Sequence, residues 1–134
     1  MKRPSSKITA SEREVLELLW DRGVAMTSAD IVKNSQDKSW KPSYIHLMIT
    51  SLLKKNLIDV AGFQQTTKNF ARTFAPTMTR EEFSIYILRE ENHLTPNSLI
   101  TLFATILKEE NVDEKLLDRL SDMLEEKRKE LEGK

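Results

Sequence analysis

Apolar residues recur at helical spacing near the start of the chain. Thr9 stands three positions before Glu12, the spacing of a capping box, and the helical repeat continues until Gly23. The repeat consists of Val15, Leu18 and Leu19. This pattern predicts a first helix over Ala10–Arg22.

Two further helices are predicted before residue 57. Val24–Met26 is too short for a helix and is typical of a single strand, after which Thr27 is a suitable N-cap for a second helix. The polar stretch 35–41 predicts a loop. Pro42 fits the first turn of a third helix, where its missing N–H costs nothing, and Asn56 is a suitable C-terminal stop.

After Asn56 the pattern changes to short runs typical of strands. Leu57–Phe63 and Phe70–Ala75 are two extended candidates, and the polar residues Gln64–Asn69 between them predict a hairpin with a loose tip. Three helices followed by a hairpin is the element order of a winged helix-turn-helix domain. We expect this domain to end at Pro76.

The remainder of the chain is predicted to be helical. Thr79 and Glu82 repeat the capping-box spacing, and periodicity then predicts three helices. These helices span Arg80–Asn92, Pro96–Glu109 and Glu114–Glu132. We therefore expect a mainly α protein with a small β-hairpin, divided into a winged helix-turn-helix domain at residues 1–76 and a three-helix region at residues 77–134.

The third predicted helix has one apolar and one polar face. At 100° per residue, the apolar stripe comprises Ile45, Met48, Ile49, Leu52 and Leu53. The opposite face comprises Ser43, Leu47, Thr50 and Lys54, flanked by Tyr44 and Ser51 on one side and by His46 on the other. No acidic residue lies on this polar face.

Such a face suits the major groove of DNA, which admits an α-helix whose N-terminal residues contact base edges. The hydroxyls of Ser43 and Thr50 can donate or accept hydrogen bonds, and Leu47 can contact a thymine methyl group. Lys55 has two interpretations, a phosphate contact or a last-turn residue that complements the helix dipole. The candidates for phosphate contacts are Lys41, Tyr44 and Lys54.

The formal net charge of zero conceals a basic front part and an acidic back part. Residues up to Pro76 include twelve Lys and Arg against seven Asp and Glu, whereas the rest includes nine against fourteen. From Lys38 to Arg72 six basic residues accompany a single acid, Asp59. This asymmetry indicates that the front part meets a polyanion, and it adds Lys68 and Arg72 of the hairpin to the DNA-binding candidates.

Composition argues against several other classes of protein. The chain has no cysteine, which excludes disulfides, thiolate metal sites and a Cys nucleophile. His46 and His93 are the only histidines, and neither has metal-ligand spacing or a Gly-rich phosphate loop beside it. We therefore predict no enzyme activity, no metal and no cofactor. Apolar runs are short and residues 1–7 lack the core of a signal peptide, so we expect a cytoplasmic protein without direct membrane binding.

Three stretches carry a resemblance to a known family. W-K-P-S-Y-I-H-L-M-I-T-S-L-L-K-K-N-L-I at Trp40–Ile58 and I-T-A-S-E-R-E-V-L-E-L-L-W at Ile8–Trp20 resemble the penicillinase repressors, the BlaI/MecI group that also includes copper-transport repressors. The last strand, A-R-T-F-A-P at Ala71–Pro76, is similar to the end of that family's wing. The similarity covers essentially the whole chain.

The resemblance implies a dimeric winged-helix repressor that binds an inverted-repeat operator in double-stranded DNA, upstream of resistance genes such as those for β-lactam resistance, or of transport genes. It also implies that the third helix supplies the operator contacts, here Ser43, Tyr44, Leu47, Thr50, Ser51 and Lys54. Leu47 and Ser51 stand where relatives have a Thr and an Arg, so the operator of this chain is expected to differ from theirs.

The resemblance also bears on regulation and on the wing. In the β-lactam branch, a membrane sensor-protease pathway cuts an Asn-Phe pair in the fifth helix, and the alignment places Leu102 and Phe103 there, keeping only the Phe. The copper branch ends in a Cys-rich metal site, which this chain cannot form. The hairpin is several residues longer than in penicillinase repressors, and the extra residues Gln64–Thr67 either reach a minor groove or form a slack loop, which we favour.

The C-terminal helices carry more apolar residues than one covering helix can hide. They either pack onto the winged domain of their own chain or exchange in a two-fold dimer. We favour the dimer, because it also doubles the basic surface offered to DNA. The interface candidates are Phe83, Ile87, Leu99, Leu102, Phe103, Ile106, Leu117, Leu120 and Leu124.

A second function class remains open, since winged helices also mediate protein contacts. In that case Tyr44 and Leu47 form a docking patch and the basic charge is incidental. Duplex affinity that falls steeply with salt distinguishes a DNA-binding protein from such a module.

Overall fold

The computed structural model describes residues 7–35, 38–92, 95–109 and 111–133. Over these residues it has α1 (Ala10–Arg22), α2 (Ser28–Asn34), a 3-10 turn (Pro42–Tyr44), α3 (Ile45–Lys54), β1 (Ile58–Gln65), β2 (Phe70–Pro76), α4 (Arg80–Asn92), α5 (Pro96–Glu109) and α6 (Glu114–Glu132). The predicted fold class, mainly α with one small hairpin, is confirmed. Residues 36 and 37 of the predicted loop, and His93, lie outside the described residues.

α1 begins and ends where the sequence predicts. The Thr9 hydroxyl accepts a hydrogen bond from the Glu12 backbone N–H at 3.1 Å, and the Glu12 carboxylate accepts one from the Thr9 N–H at 2.8 Å. This reciprocal capping box satisfies two N–H groups that the helix itself cannot. Gly23 adopts φ 68°, a left-handed conformation that ends the helix.

α2 follows a second capping box, formed by Thr27 and Asp30. The predicted strand Val24–Met26 is reduced to one bridge, in which the backbone of Met26 pairs with Phe74 through N···O distances of 3.0 and 2.8 Å. The chain enters the Thr27 cap immediately afterwards, so the segment cannot extend the ladder.

β1 and β2 form an antiparallel hairpin that is better ordered at its tip than predicted. Pairing runs from Ile58 opposite Pro76 to Gln65 opposite Phe70, with a bulge between Val60 and Gly62. The tip is closed by hydrogen bonds between Thr66 and Asn69, including Thr66 N–H to the Asn69 carbonyl at 2.6 Å. The predictions of a loose tip over Gln64–Asn69 and of a slack loop are wrong, because Gln64 and Gln65 belong to the ladder.

All three N-terminal helices and the hairpin contribute to one apolar core. Leu16 of α1, Ile31 of α2, Leu52 of α3 and Ile58 of β1 are fully buried. Asn56 turns the chain from α3 into β1 with φ 59°, which agrees with its predicted role as a helix stop. The arrangement is a winged helix-turn-helix.

The start of α4 belongs to this same core. Thr79 and Glu82 form the predicted capping box, with both N···O distances at 3.0 Å. Phe83 is only 1% exposed, and its ring centroid lies 5.5 Å from that of Trp20. The chain therefore divides into two compact units inside α4, at residues 87 and 88. We name them the N-terminal unit and the C-terminal unit.

The C-terminal unit contains the end of α4, α5 and α6. Asp113 caps α6, since its carboxylate accepts a hydrogen bond from the Leu116 N–H at 2.9 Å. Neither α5 nor α6 has a buried residue among those described. No helix within the described ranges is long and apolar enough to span a membrane.

Candidate nucleic-acid interface

The apolar stripe of α3 fixes the helix in the core and leaves its opposite face free. Ile45, Met48, Ile49 and Leu52 are buried, and Leu53 packs partly against the core. Leu47, on the other side, is 68% exposed. Burial on one side and exposure on the other therefore agree with the predicted division of the helix into faces. Exposed residues on the outer side are Ser43, His46, Leu47, Thr50 and Lys54.

The start of the predicted third helix differs from the sequence prediction. Pro42–Tyr44 is a 3-10 turn, in which the Tyr44 N–H donates to the Lys41 carbonyl at 2.9 Å, and the α-helix begins at Ile45. The rotation of 100° per residue therefore does not apply to Ser43 and Tyr44, because a 3-10 turn advances about 120° per residue. Lys41, Ser43 and Tyr44 are nevertheless all exposed beside the N-terminus of α3.

Thr50 has less hydrogen-bonding freedom than the sequence suggests. Its hydroxyl donates to the His46 carbonyl at 2.8 Å, one helical turn earlier. In the free protein its single proton is therefore already donated within α3. Its oxygen lone pairs remain free to accept, as an amino group of adenine or cytosine requires.

A partly buried ion pair attaches the end of α3 to the start of α1. Lys55 Nζ lies 2.6 Å from Glu12 Oε1 and donates to the Lys7 carbonyl at 2.8 Å, and its side chain is only 15% exposed. The predicted phosphate contact of Lys55 does not hold, because its ammonium group is held by a carboxylate that lies 43 positions away in sequence.

The same cluster accounts for the titration of Glu12 and for the position of Ser51. Burial alone raises the pKa of Glu12, but hydrogen bonds from Lys55, Ser51 and the Thr9 backbone, with the charge of Lys55, outweigh it and lower that pKa. Ser51 is half-buried and one of these donors. Its side chain is therefore directed toward α1 as well as toward the outer face of α3.

The hairpin places one of its two basic residues, Arg72, next to α3. Arg72 of β2 is exposed, and its guanidinium lies 5.2 Å from the centroid of the Phe74 ring. A cavity of about 320 Å³ lies between the two elements, and its lining includes His46, Thr50 and Arg72. Lys68 is exposed at the tip. The outer face of α3 and the basic side of the hairpin thus form one continuous surface.

Two aromatic residues of this surface were missed by the sequence analysis. Phe63 and Phe70 are each 69% exposed, although both lie in paired strand positions. In the sequence, apolar residues continue along both strands beyond the part of the hairpin that covers the core. This pattern predicts strands but does not show that the two rings are exposed.

The predicted dimer residues fall into two groups. Phe83 is buried in the core of its own chain and Ile87 packs partly against that core, so Phe83 cannot supply an exposed contact and the prediction for it needs correction. Most of the others are exposed, and the rest are half-buried. The exposed group is Leu99, Phe103, Ile106, Leu117 and Leu124, and the half-buried group is Leu102 and Leu120.

The predicted cleavage position lies inside a helix. Leu102 and Phe103 occupy the middle of α5, where Phe103 is 52% exposed. No group of three or more His, Cys, Asp or Glu side chains within the described part of the chain is placed to hold a metal ion.

Comparison with known proteins gives a family match over most of the chain. A family model described as the penicillinase repressor matches residues 8–126. No curated protein matches the sequence. Among solved structures, the adhesin competence repressor of Streptococcus pyogenes is 18% identical, with a TM-score of 0.41 over 94% of this chain and 82% of that one. A mutant of ZitR from Lactococcus lactis is also 18% identical, with a TM-score of 0.41 over 98% of this chain and 82% of that one.

Proposed function

The chain belongs to the penicillinase repressor family, and on that premise we propose that it is a dimeric repressor that reads an inverted-repeat operator through α3 and the hairpin. The observation that carries the proposal is Leu47, which is 68% exposed at the centre of an outer face without acidic residues. An exposed leucine in the middle of this face can contact a thymine methyl group in the major groove.

The contacts divide by chemistry. Ser43, Leu47 and Thr50 face base edges, with Thr50 acting as an acceptor because its proton is bound to the His46 carbonyl. Lys41, Tyr44, Lys54, Lys68 and Arg72 hold phosphates on either side of the groove. Ser51 is half-buried at the end of α3 and borders the groove.

The C-terminal unit pairs two copies of the chain in this proposal. The apolar residues Leu99, Leu102, Phe103 and Ile106 recur along one face of α5, and Leu117, Leu120 and Leu124 along one face of α6. A two-fold dimer covers these faces and presents two α3 helices to two inverted half-sites. Phe83 and Ile87 pack within the N-terminal unit and are left out of this interface.

Regulation follows the family in outline. We infer that the protein acts in the cytoplasm and controls β-lactam resistance genes. A membrane sensor-protease pathway then releases it from DNA by cutting at Leu102–Phe103. Both residues lie in a helix without buried side chains among those described, which favours local opening of the segment for a protease. The side chain before the cut is a leucine, so the protease requires a different pocket from one that accepts asparagine.

Selection from a pool of randomised duplex DNA tests the proposal. The full chain is expected to enrich two inverted half-sites whose centres are separated by about one helical turn, roughly 34–36 Å, or a multiple of it. Its affinity for the enriched duplex should fall steeply with salt. Absence of any enriched sequence, together with undetectable duplex binding at low salt, rejects the proposal in favour of a winged-helix protein-interaction module.

Two variants then separate phosphate contacts from base contacts. Lys54→Ala should weaken binding to all sequences alike and reduce the salt slope by about 1.8, since each copy in the dimer loses one phosphate contact worth roughly 0.9. Leu47→Ala should cost roughly 1 kcal/mol, about fivefold, mainly at the thymine that it contacts. Equal loss at every sequence for Leu47→Ala contradicts its place in the groove.

A further inference from the structure

The distal half of the hairpin extends beyond the core as an ordered arm. Phe74 is the last buried residue of β2 toward the tip, and pairing continues from there to Gln65 opposite Phe70. Hydrogen bonds between Thr66 and Asn69 close the tip. An ordered arm holds its side chains in fixed directions, which a slack loop does not.

A bulge brings two phenylalanines to the same face of this arm. Phe63 lies opposite Arg72, and Phe70 lies opposite Gln65, so both share the face of Arg72 and Phe74. The register shift between Val60 and Gly62 is what places Phe63 there, because a change of one residue moves every following side chain to the other face. Phe63 and Phe70 are diagonal neighbours in the ladder.

This face is on the side of the hairpin that meets α3. On this face, Phe74 is buried in the core. Arg72 lines a cavity together with His46 and Thr50 of α3. Phe63 and Phe70 continue the same face beyond the cavity, each 69% exposed. The aromatic pair and the outer face of α3 are therefore available to one ligand.

Charge indicates the chemistry of that ligand. The segment from Val60 to Pro76 has Lys68 and Arg72 and no acidic residue. Positive charge on this surface suits the phosphates of a nucleic acid, and its aromatic rings suit the apolar faces of the bases. A second copy of the chain would instead bring an identical basic hairpin into contact with the first.

The reach of the arm matches the spacing of DNA grooves. At about 3.3 Å per residue, Phe70 lies roughly 13 Å beyond Phe74 along the strand direction, and the tip with Lys68 lies farther out. Adjacent major and minor grooves lie about half a helical turn apart, roughly 17 Å. The aromatic pair can thus enter the minor groove beside a half-site occupied by α3.

We propose that Phe63 and Phe70 form an apolar wedge that enters the minor groove flanking each half-site and partly unstacks one base step. This inference rests on the proposed function and adds a source of specificity to it. Operator affinity then depends on a step that α3 does not touch, because pyrimidine–purine steps such as TA open more readily than others.

The test uses the full chain and two versions of the selected duplex, with either a TA step or a stiff A-tract at the flanking position. The wild type should bind the TA duplex roughly tenfold more tightly, and the double variant Phe63→Ala, Phe70→Ala should lose most of that preference. A 2-aminopurine base at the TA step should brighten with the wild type and not with the double variant. The variant Phe63→Leu, Phe70→Leu should retain both effects, since it keeps an apolar wedge.

Val24→Ala is the matched control, because Val24 is an apolar residue of the same unit that is 63% exposed. It should leave both the flank preference and the fluorescence unchanged. An equal flank preference in the wild type and the Ala double variant overturns the wedge while leaving operator binding by α3 intact. A reduced mass of the free protein in sedimentation for that variant also overturns it, since the pair would then bind protein. Failure of the wild type to bind duplex DNA rejects the proposed function itself.

Discussion

Among the described residues, fourteen apolar side chains of the N-terminal unit are buried and none of the C-terminal unit is, although α5 and α6 are rich in Leu, Ile and Phe. The N-terminal unit closes its own core with three helices, a hairpin and Phe83. The C-terminal helices have similar apolar spacing, but none of their described apolar side chains is buried. Similar sequence patterns thus produce a buried core in one place and, among the described residues, exposed apolar faces in the other.

The largest expected effect comes from charging the C-terminal surface. Phe103→Asp places a carboxylate on the apolar face of α5 and should prevent pairing, because a dimer would bury that charge. Operator affinity is then expected to fall by roughly 10²-fold to 10⁴-fold, since one chain no longer holds its partner near the second half-site. Sedimentation gives the mass, and titration of the operator gives the affinity.

Thr105→Asp is the control for this variant, because Thr105 is exposed and lies on the opposite side of α5. It adds the same charge and should leave the mass unchanged. A dimeric Phe103→Asp protein contradicts the assignment of this face to the interface.

The next largest effect contrasts two phenylalanines. Phe83→Ala should destabilise the N-terminal unit by about 3–5 kcal/mol, because it leaves a cavity beside Trp20. Both tryptophans lie in that unit, so their fluorescence during urea unfolding reports it alone. Phe103→Ala should leave this transition unchanged and raise only the concentration at which the dimer dissociates. Equal destabilisation by both substitutions means that the C-terminal apolar face is covered within its own chain.

A smaller effect concerns the ion pair that holds α3 against α1. Glu12→Gln should cost about 2 kcal/mol, because Lys55 loses a charged partner but keeps an amide oxygen. Glu14→Gln is the control, since Glu14 bonds to Ser39 at the exposed surface. Urea unfolding followed by tryptophan fluorescence measures both variants.

The pH dependence of the Glu12 effect has a definite direction. The folded-state pKa of Glu12 lies below its ordinary value of 4.5, so unfolding takes up a proton between these two values. Its contribution to stability is present above about pH 4.5 and is lost as the pH falls through the folded-state pKa. The stability difference between the wild type and Glu12→Gln should therefore shrink in acid. A difference that stays constant to low pH contradicts the lowered pKa.

The sequence alone predicts the elements well, because their signals are local. Thr9, Glu12 and Gly23 determine the bounds of α1 through the capping box and a left-handed glycine, and the bounds of α4, α5 and α6 agree for similar reasons. The outer face of α3 was also identified from periodicity, although the 3-10 turn at Pro42–Tyr44 was not.

The features that were missed depend on contacts between distant parts of the chain. No pattern within α4 shows that Phe83 packs against Trp20, and nothing near Lys55 in the sequence indicates that it pairs with Glu12. The aromatic face of the hairpin depends on a bulge at residue 61, and periodicity alone does not locate such a shift of register.

The proposal assigns DNA binding to the N-terminal unit and pairing to the C-terminal unit. Its most direct test is the salt dependence of operator binding by the wild type and by Phe103→Asp. If the N-terminal unit holds DNA and the C-terminal unit pairs two copies, the wild type binds with two sets of phosphate contacts and the variant with one. The plot of log affinity against log salt should then be about half as steep for the variant, since each phosphate contributes roughly 0.9 to the slope. Equal slopes and equal affinities for the two proteins would contradict the account.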